Sequence, residues 1–376
     1  MTQPASLFAY LFLWVLSSSS AGAQIQNIQQ KFVLPAALSE SSGLIFFNNH
    51  LISHNDSGND NQLFEIDTLT GEIERVVTII NASNKDWEDI TQDDEAIYIG
   101  DFGNNNGSRT DLKIYKILKA DYLASDTVTA ESIDFSYADQ NDFRSRPNNT
   151  PWDAEAMISL DAQSLVIFTK DWVEGNTKAY AVPKTPGSYQ LNPMPTSLQE
   201  AGLITGASYQ AENQLLLLTG YLNSLFPFIW ICKPDATEDL FAGTQERIFI
   251  TEFSIEQVEA ITSVSENRFF ISSESFSIAG VSDDGKVISF SLADTSVSQQ
   301  LQAVPPIRLY PNPVNDRFHL HGVSIKFVEL YDDQFKQVFQ SGPQAEYVID
   351  QLAPGFYIVK IIDTNQQIHF KTLIKH

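Results

Sequence analysis

Five stretches of this chain repeat one pattern, and that repetition constrains the fold more than any other feature. In each, a small or acidic residue leads an apolar strand, and a second apolar strand follows and ends in polar residues. The leads are Ser42-Gly43-Leu44, Glu88-Asp89-Ile90, Glu155-Ala156-Met157, Gly206-Ala207-Ser208 and Glu259-Ala260-Ile261. The second strands read LISHND, IYIGDF, VIFTKD, LLLTGY and FFISSE, and reach Asp56, Asp101, Asp171, Tyr221 and Glu274. Lead and end are 14, 13, 16, 15 and 15 residues apart, while successive leads are 46, 67, 51 and 53 apart. Constant spacing within a unit and variable spacing between units predicts an all-β, five-bladed β-propeller, with short inner hairpins and variable outer loops.

Third strands are expected at Gln62 to Asp67, Leu112 to Leu118, Lys178 to Pro183, Pro227 to Cys232 and Lys286 to Leu292. Fourth strands are expected at Glu74 to Ile79, Ser132 to Tyr137, Tyr189 to Leu191 and Arg247 to Thr251. The fifth unit runs out before its fourth strand. Lys31 to Leu38 is then the spare strand that completes it, closing the ring and removing an exposed sheet edge. A six-bladed ring is the alternative, because the 67-residue second unit has room for an extra strand pair. No long 3.6-residue periodicity supports an α-rich fold.

In such a ring Ser42, Glu88, Glu155, Gly206 and Glu259 form one inner circle. Asp56, Asp101, Asp171, Tyr221 and Glu274 form a second, expected at the other end of the inner hairpins and offset outward. Close carboxylates cannot all ionise without compensation. One reading is structural, with each acid accepting backbone N–H groups. The second is a divalent cation, Ca²⁺ by preference for oxygen donors, on Glu88, Glu155 and Glu259. The third is hydrolysis of an extracellular polymer, with Asp101 and Glu155 as the reacting pair and Asp171 modulating them. Asp56, Asp101, Glu155, Asp171, Lys170, Tyr221 and Glu274 are the candidates for binding a small-molecule or glycan ligand. His54 beside Asp56 is a candidate base, although a lone histidine in a turn is usually structural. The runs HNDSGNDN (54–61) and GDFGNNNGSRTD (100–111) are rich in oxygen donors, but lack EF-hand spacing and read equally well as turns. A protein-interaction module remains a further alternative, with Leu222 to Pro227 as a contact loop.

The chain carries 23 basic and 47 acidic residues, a net charge of −24, which disfavours nucleic acid and anionic membranes as partners. A single cysteine, Cys232, excludes an intramolecular disulfide and a cysteine-based zinc site. There is no GxSxG motif to supply a serine nucleophile.

The two ends read as addresses. Residues 1–23 have the apolar stretch Leu7 to Leu16 and the small residues Ala21-Gly22-Ala23, as expected of a secretory signal peptide cleaved before Gln24. No later segment is long and apolar enough for a transmembrane helix. The propeller is expected at 24–292, a linker at 293–306 and a separate module at 307–376. Residues 305–376 hold 7 basic and 7 acidic residues, so the net charge belongs to the body. Short alternating strands in this module suggest a small antiparallel sandwich.

LYPNPVNDRFHL (309–320), VELYDDQFKQV (328–338), LAPGFYIVKI (352–361) and HFKTLIKH (369–376) resemble the C-terminal sorting domain of the type IX secretion system. One departure is Gln334-Phe335, where that family usually has a turn glycine. The resemblance implies a Bacteroidota-type cell, recognition by the type IX machinery through residues 307–376, passage through the periplasm, and secretion or display on the outer membrane. HNDSGNDNQLFEIDTLTGE (54–72), NASNKDWEDI (81–90), YIGDFGNNNGSRTDLKIYKI (98–117) and the WDAEAM and FTKDW runs within 152–172 resemble a group of secreted bacterial β-propellers. That resemblance points to Asp56, Asp86, Glu88, Asp101, Asp153, Glu155 and Lys170, and implies no reaction. More distant phytase-like and gluconolactonase-like propellers place metal-binding acids at the axis, which favours the cation reading.

Overall fold

The computed structural model describes residues 25–222, 225–235, 239–253, 255–278, 281–293, 307–322, 324–332, 336–364 and 368–376. The expected signal peptide, nearly all of the expected linker and Gln334-Phe335 lie outside these residues.

Each repeat unit forms one sheet, and its first strand is innermost. The first sheet is Ser41–Phe47, His50–Asn55, Gln62–Asp67 and Ile73–Ile79. The second is Trp87–Gln92, Ala96–Asp101, Lys113–Leu118 and Glu131–Tyr137. The third is Asp153–Ser159, Ser164–Lys170, Thr177–Pro183 and Pro193–Leu198. The fourth is Leu203–Gln210, Leu215–Tyr221, Pro227–Lys233 and Thr244–Phe249. The fifth is Val258–Ser265, Arg268–Ser273 and Lys286–Leu292, completed by Ile25–Val33 from the other end of the body. The five innermost strands adjoin one another in a cycle, the fifth meeting the first.

That closure explains the continuous apolar runs. Each sheet is covered on both faces by its neighbours, so alternate residues of one strand enter different cores. Leu51 packs with Phe64, Phe270 and Val287 between the first and fifth sheets, while its neighbour Ile52 packs with Val77, Ile97 and Ile117 between the first and second. Val166 and Phe168 join Leu216 and Phe228, whereas Ile167 joins Tyr98, Phe135 and Tyr180. Leu217, Ile229, Ile271 and Phe290 fill the remaining gap. Each such side chain contributes about 1.5–3 kcal/mol by leaving water.

Four expectations are corrected by the pairing. The closing strand is Ile25–Val33, and only its end overlaps Lys31 to Leu38, because Ala36–Leu38 is a 3-10 turn. Tyr189 to Leu191 belongs to Gly187–Leu191, which pairs in parallel with the outer strand of the second sheet; Pro193–Leu198 is the fourth strand of the third. The length of the second unit goes into the helix Lys119–Ala124, the strand Thr127–Val128 added to the first sheet, and the 138–152 connection, rather than another sheet. Finally, the two circles lie at one end of the hairpins. Antiparallel pairing sets the start of a first strand beside the end of a second, as in Trp87 opposite Asp101 and Val258 opposite Ser273.

The last residues form two small antiparallel sheets that share a core of Val314, Phe318, Val328, Leu330, Tyr347, Val359, Ile361 and Leu373. Among the described residues no helix is long and apolar enough to cross a membrane.

Candidate functional site

Every inner hairpin carries a register break at the same place. In the second sheet Trp87 pairs with Asp101 and Asp89 with Gly100, so Glu88 has no opposite residue. Glu155 and Glu259 sit in the equivalent bulges of the third and fifth sheets, and Ser42-Gly43 in that of the first. A bulge bends the strand and re-aims one side chain, and here the bulge carboxylates Glu88, Glu155 and Glu259 fall into one charge network. In the fourth sheet the bulge residue is Thr205, not Gly206. Its hydroxyl donates to the Val258 carbonyl at 2.6 Å.

The same register fixes the second circle as Asp56, Phe102, Lys170, Tyr221 and Glu274. Asp101 and Asp171 are therefore each displaced by one position, and a one-residue step turns a strand side chain to the other face. Asp101 is fully buried and accepts from Arg109 Nη2 at 2.9 Å and from the Asp86 amide at 3.2 Å. Asp171 accepts the amides of Val173 and Glu174 at 2.8 and 3.1 Å, forming its own turn. Asp101 is thus an ion-pair partner of Arg109 and Asp171 a turn former, which does not favour the hydrolytic arrangement expected of them. His54 lies on a buried strand, edge-on to Trp87; burial lowers its pKa to about 4, so the ring is neutral.

Asp56, Asp86 and Glu88 each place a carboxylate oxygen within 4.8 Å of the others. Of the three residues expected to bind metal, Glu88 alone belongs to this set. Glu155 instead accepts Lys170 Nζ at 3.3 Å, and Lys170 also donates to the Tyr221 hydroxyl at 3.2 Å. Asp153 is held by the Asn104 amide at 2.5 Å and by Trp172 Nε1 at 2.7 Å. Glu274 accepts the side-chain amide of Gln257. A Cβ at Gly103 would lie 2.0 Å from Glu88 Oε1 and 2.6 Å from the Asp86 carboxyl, so a larger residue there would displace these carboxylates.

The electrostatics follow from burial and crowding. Burial first, then the neighbouring Glu155 charge, push Glu88 and Asp153 well above the usual carboxylate range. Glu259 is raised by burial although Lys170 opposes the shift. Asp56 rises to about 7, Asp86 to about 6 and Glu274 to about 7, in each case chiefly by burial. Burial alone would lower the Lys170 ammonium, but Glu155, Glu259 and Asp153 outweigh it and its pKa is raised. The centre is a set of hard oxygen donors short of positive charge, which suits a divalent cation.

Two features escaped the sequence pattern. Asp86 and Asp153 share a third equivalent position, two residues before the bulge, and only the resemblance signalled them. Asp89, in the second lead, is a structural acid: it accepts the Ile90 and Met157 amides at 2.8 and 2.6 Å, tying adjacent inner strands together.

No curated protein matches this chain. Similar solved structures include the PQQ-bound form of aldose sugar dehydrogenase from Streptomyces coelicolor, 10% identical over 71% of this chain and 98% of that one, with a TM-score of 0.42. The extracellular domain of the BT4673 one component system from B. thetaiotaomicron is 11% identical over 93% of this chain and 60% of that one, with a TM-score of 0.32. Residues 308–375 match the secretion system C-terminal sorting domain, so the chain carries a type IX signal for secretion or display at the cell surface.

Proposed function

We propose that residues 25–292 are a five-bladed β-propeller that binds one divalent cation, Ca²⁺, at one end of its axis, and that residues 307–376 are a sandwich that delivers it outside the cell. The observation that carries the cation reading is the convergence of Asp56, Asp86 and Glu88 to within 4.8 Å, from two different sheets. Further buried carboxylates surround them: Asp153, Glu155 and Glu259. A backbone-satisfying role accounts for Asp89 and Asp171, whose oxygens accept amides, but not for Glu88. Hydrolysis is not favoured, because Asp101 is committed to Arg109.

Metal analysis of the purified protein, with thermal unfolding in and out of millimolar Ca²⁺, tests this. At about 100 times its Kd a cation adds about 2.7 kcal/mol, or roughly 5–10 °C for a body of this size. Glu88→Gln should abolish the shift. An unshifted melting temperature in the wild type would remove the cation and leave a purely structural cluster.

A further inference from the structure

Lys170 enters the cluster from the third sheet, at the register position that holds Asp56 in the first sheet, Tyr221 in the fourth and Glu274 in the fifth. It is 4% exposed. Its Nζ lies 3.3 Å from Glu155 Oε1 and 3.2 Å from the Tyr221 hydroxyl, with the ring centroids of Trp172 and Tyr221 at 4.9 and 5.3 Å. Carboxylate, hydroxyl and two aromatic faces together make a seat for one compact cation. Glu259 is 6% exposed, sits in the fifth sheet at the bulge position that Glu155 holds in the third, and belongs to the same charge network. A buried carboxylate needs hydrogen-bond donors or a counter-charge nearby. The charge acting in its favour is the Lys170 ammonium, which acts on Asp56, Glu155 and Glu274 as well.

We infer that Lys170 fills the second of two cation positions in the axial cluster, so that the chain takes one divalent cation, on Asp56, Asp86 and Glu88, and supplies the other cation itself. The inference rests on the proposed cation reading. It assigns Glu155, Glu259 and Tyr221 to a hard-cation subsite whose occupant is covalently tethered. Removing the ammonium should therefore open that subsite to a second Ca²⁺, without altering the ligands of the first.

Equilibrium dialysis of the full chain against Ca²⁺ reads the stoichiometry directly. Wild type and Lys170→Arg should each hold about one equivalent. Lys170→Met, which keeps an apolar stem of similar length, should hold about two and should depend on Ca²⁺ for folding, read by near-UV circular dichroism. Adding Glu259→Gln to Lys170→Met should return the count to about one. One equivalent in both wild type and Lys170→Met would overturn this inference alone. So would a Lys170→Met chain that stays unfolded in millimolar Ca²⁺ while Lys170→Arg folds. A wild type that takes no Ca²⁺ would overturn the cation reading and this inference with it.

Discussion

Cation affinity at the axis should depend steeply on pH, because Ca²⁺ must displace protons that burial keeps on its ligands. With Asp56 titrating near 7, the carboxyl is about nine-tenths ionised at pH 8 and about 3% ionised at pH 5.5, roughly a 30-fold change in the competent form. Asp86, titrating near 6, adds about a four-fold change over the same interval. Together these give at least about a 100-fold loss of Ca²⁺ affinity from pH 8 to 5.5, or about 2.7 kcal/mol, and the raised Glu88 carboxyl steepens it further. The stability of the cation-free protein runs the other way. Both carboxyls have folded-state values above their unfolded ones, so the folded state binds more protons between about pH 4 and 7. Their relative stabilisation is complete below the unfolded pKa and is lost as pH rises through the folded values. Melting temperature without Ca²⁺ should thus fall toward pH 8, and the shift produced by Ca²⁺ should grow. Isothermal titration calorimetry at the two pH values, with matched ionic strength, measures the ratio. An affinity that is flat across this range would refute the assignment of Asp56 and Asp86 as ligands.

Two further outcomes test separate parts of the architecture. Gly103→Ala should weaken Ca²⁺ binding at least ten-fold, because the added Cβ displaces Glu88, and should cost about 1–3 kcal/mol in urea unfolding; unchanged calorimetry would show that Glu88 is not pressed against that backbone. Deleting residues 307–376 should leave a folded body that no longer reaches the surface or medium, as followed by surface proteolysis and by fractionation of cells and medium.

The strand pattern was legible because the ring buries both faces of each sheet, which writes runs such as VIFTKD and LLLTGY into the sequence. The bulge residues were legible for a related reason. A side chain re-aimed at a shared axis must be small or functional, so Glu88, Glu155 and Glu259 stand out among apolar neighbours. The phase of the second circle was harder to read. Consecutive residues at those strand ends are often both polar, as in Lys170-Asp171, or the acid precedes an aromatic, as in Asp101-Phe102. Only the ladder register separates the axial member from its neighbour. Thr205 was hidden in the same way behind Gly206, where a Cβ would collide with the backbone of Glu259 and Ala260. Asp86 lies just before its strand and Asp153 is the first residue of its own, both at the margin of the alternating pattern, and their convergence depends on the closed ring.

The pairing of Ile25–Val33 with Lys286–Leu292 has a temporal side. A ribosome makes the first of these strands some 250 residues before the second, so over that whole interval the circle has a gap. The stretch that seals it ends at Leu292, and the segment that names the destination begins at residue 308. Any apparatus that reads that address therefore meets a polypeptide whose latch already exists, and a copy terminated before residue 286 lacks both latch and label.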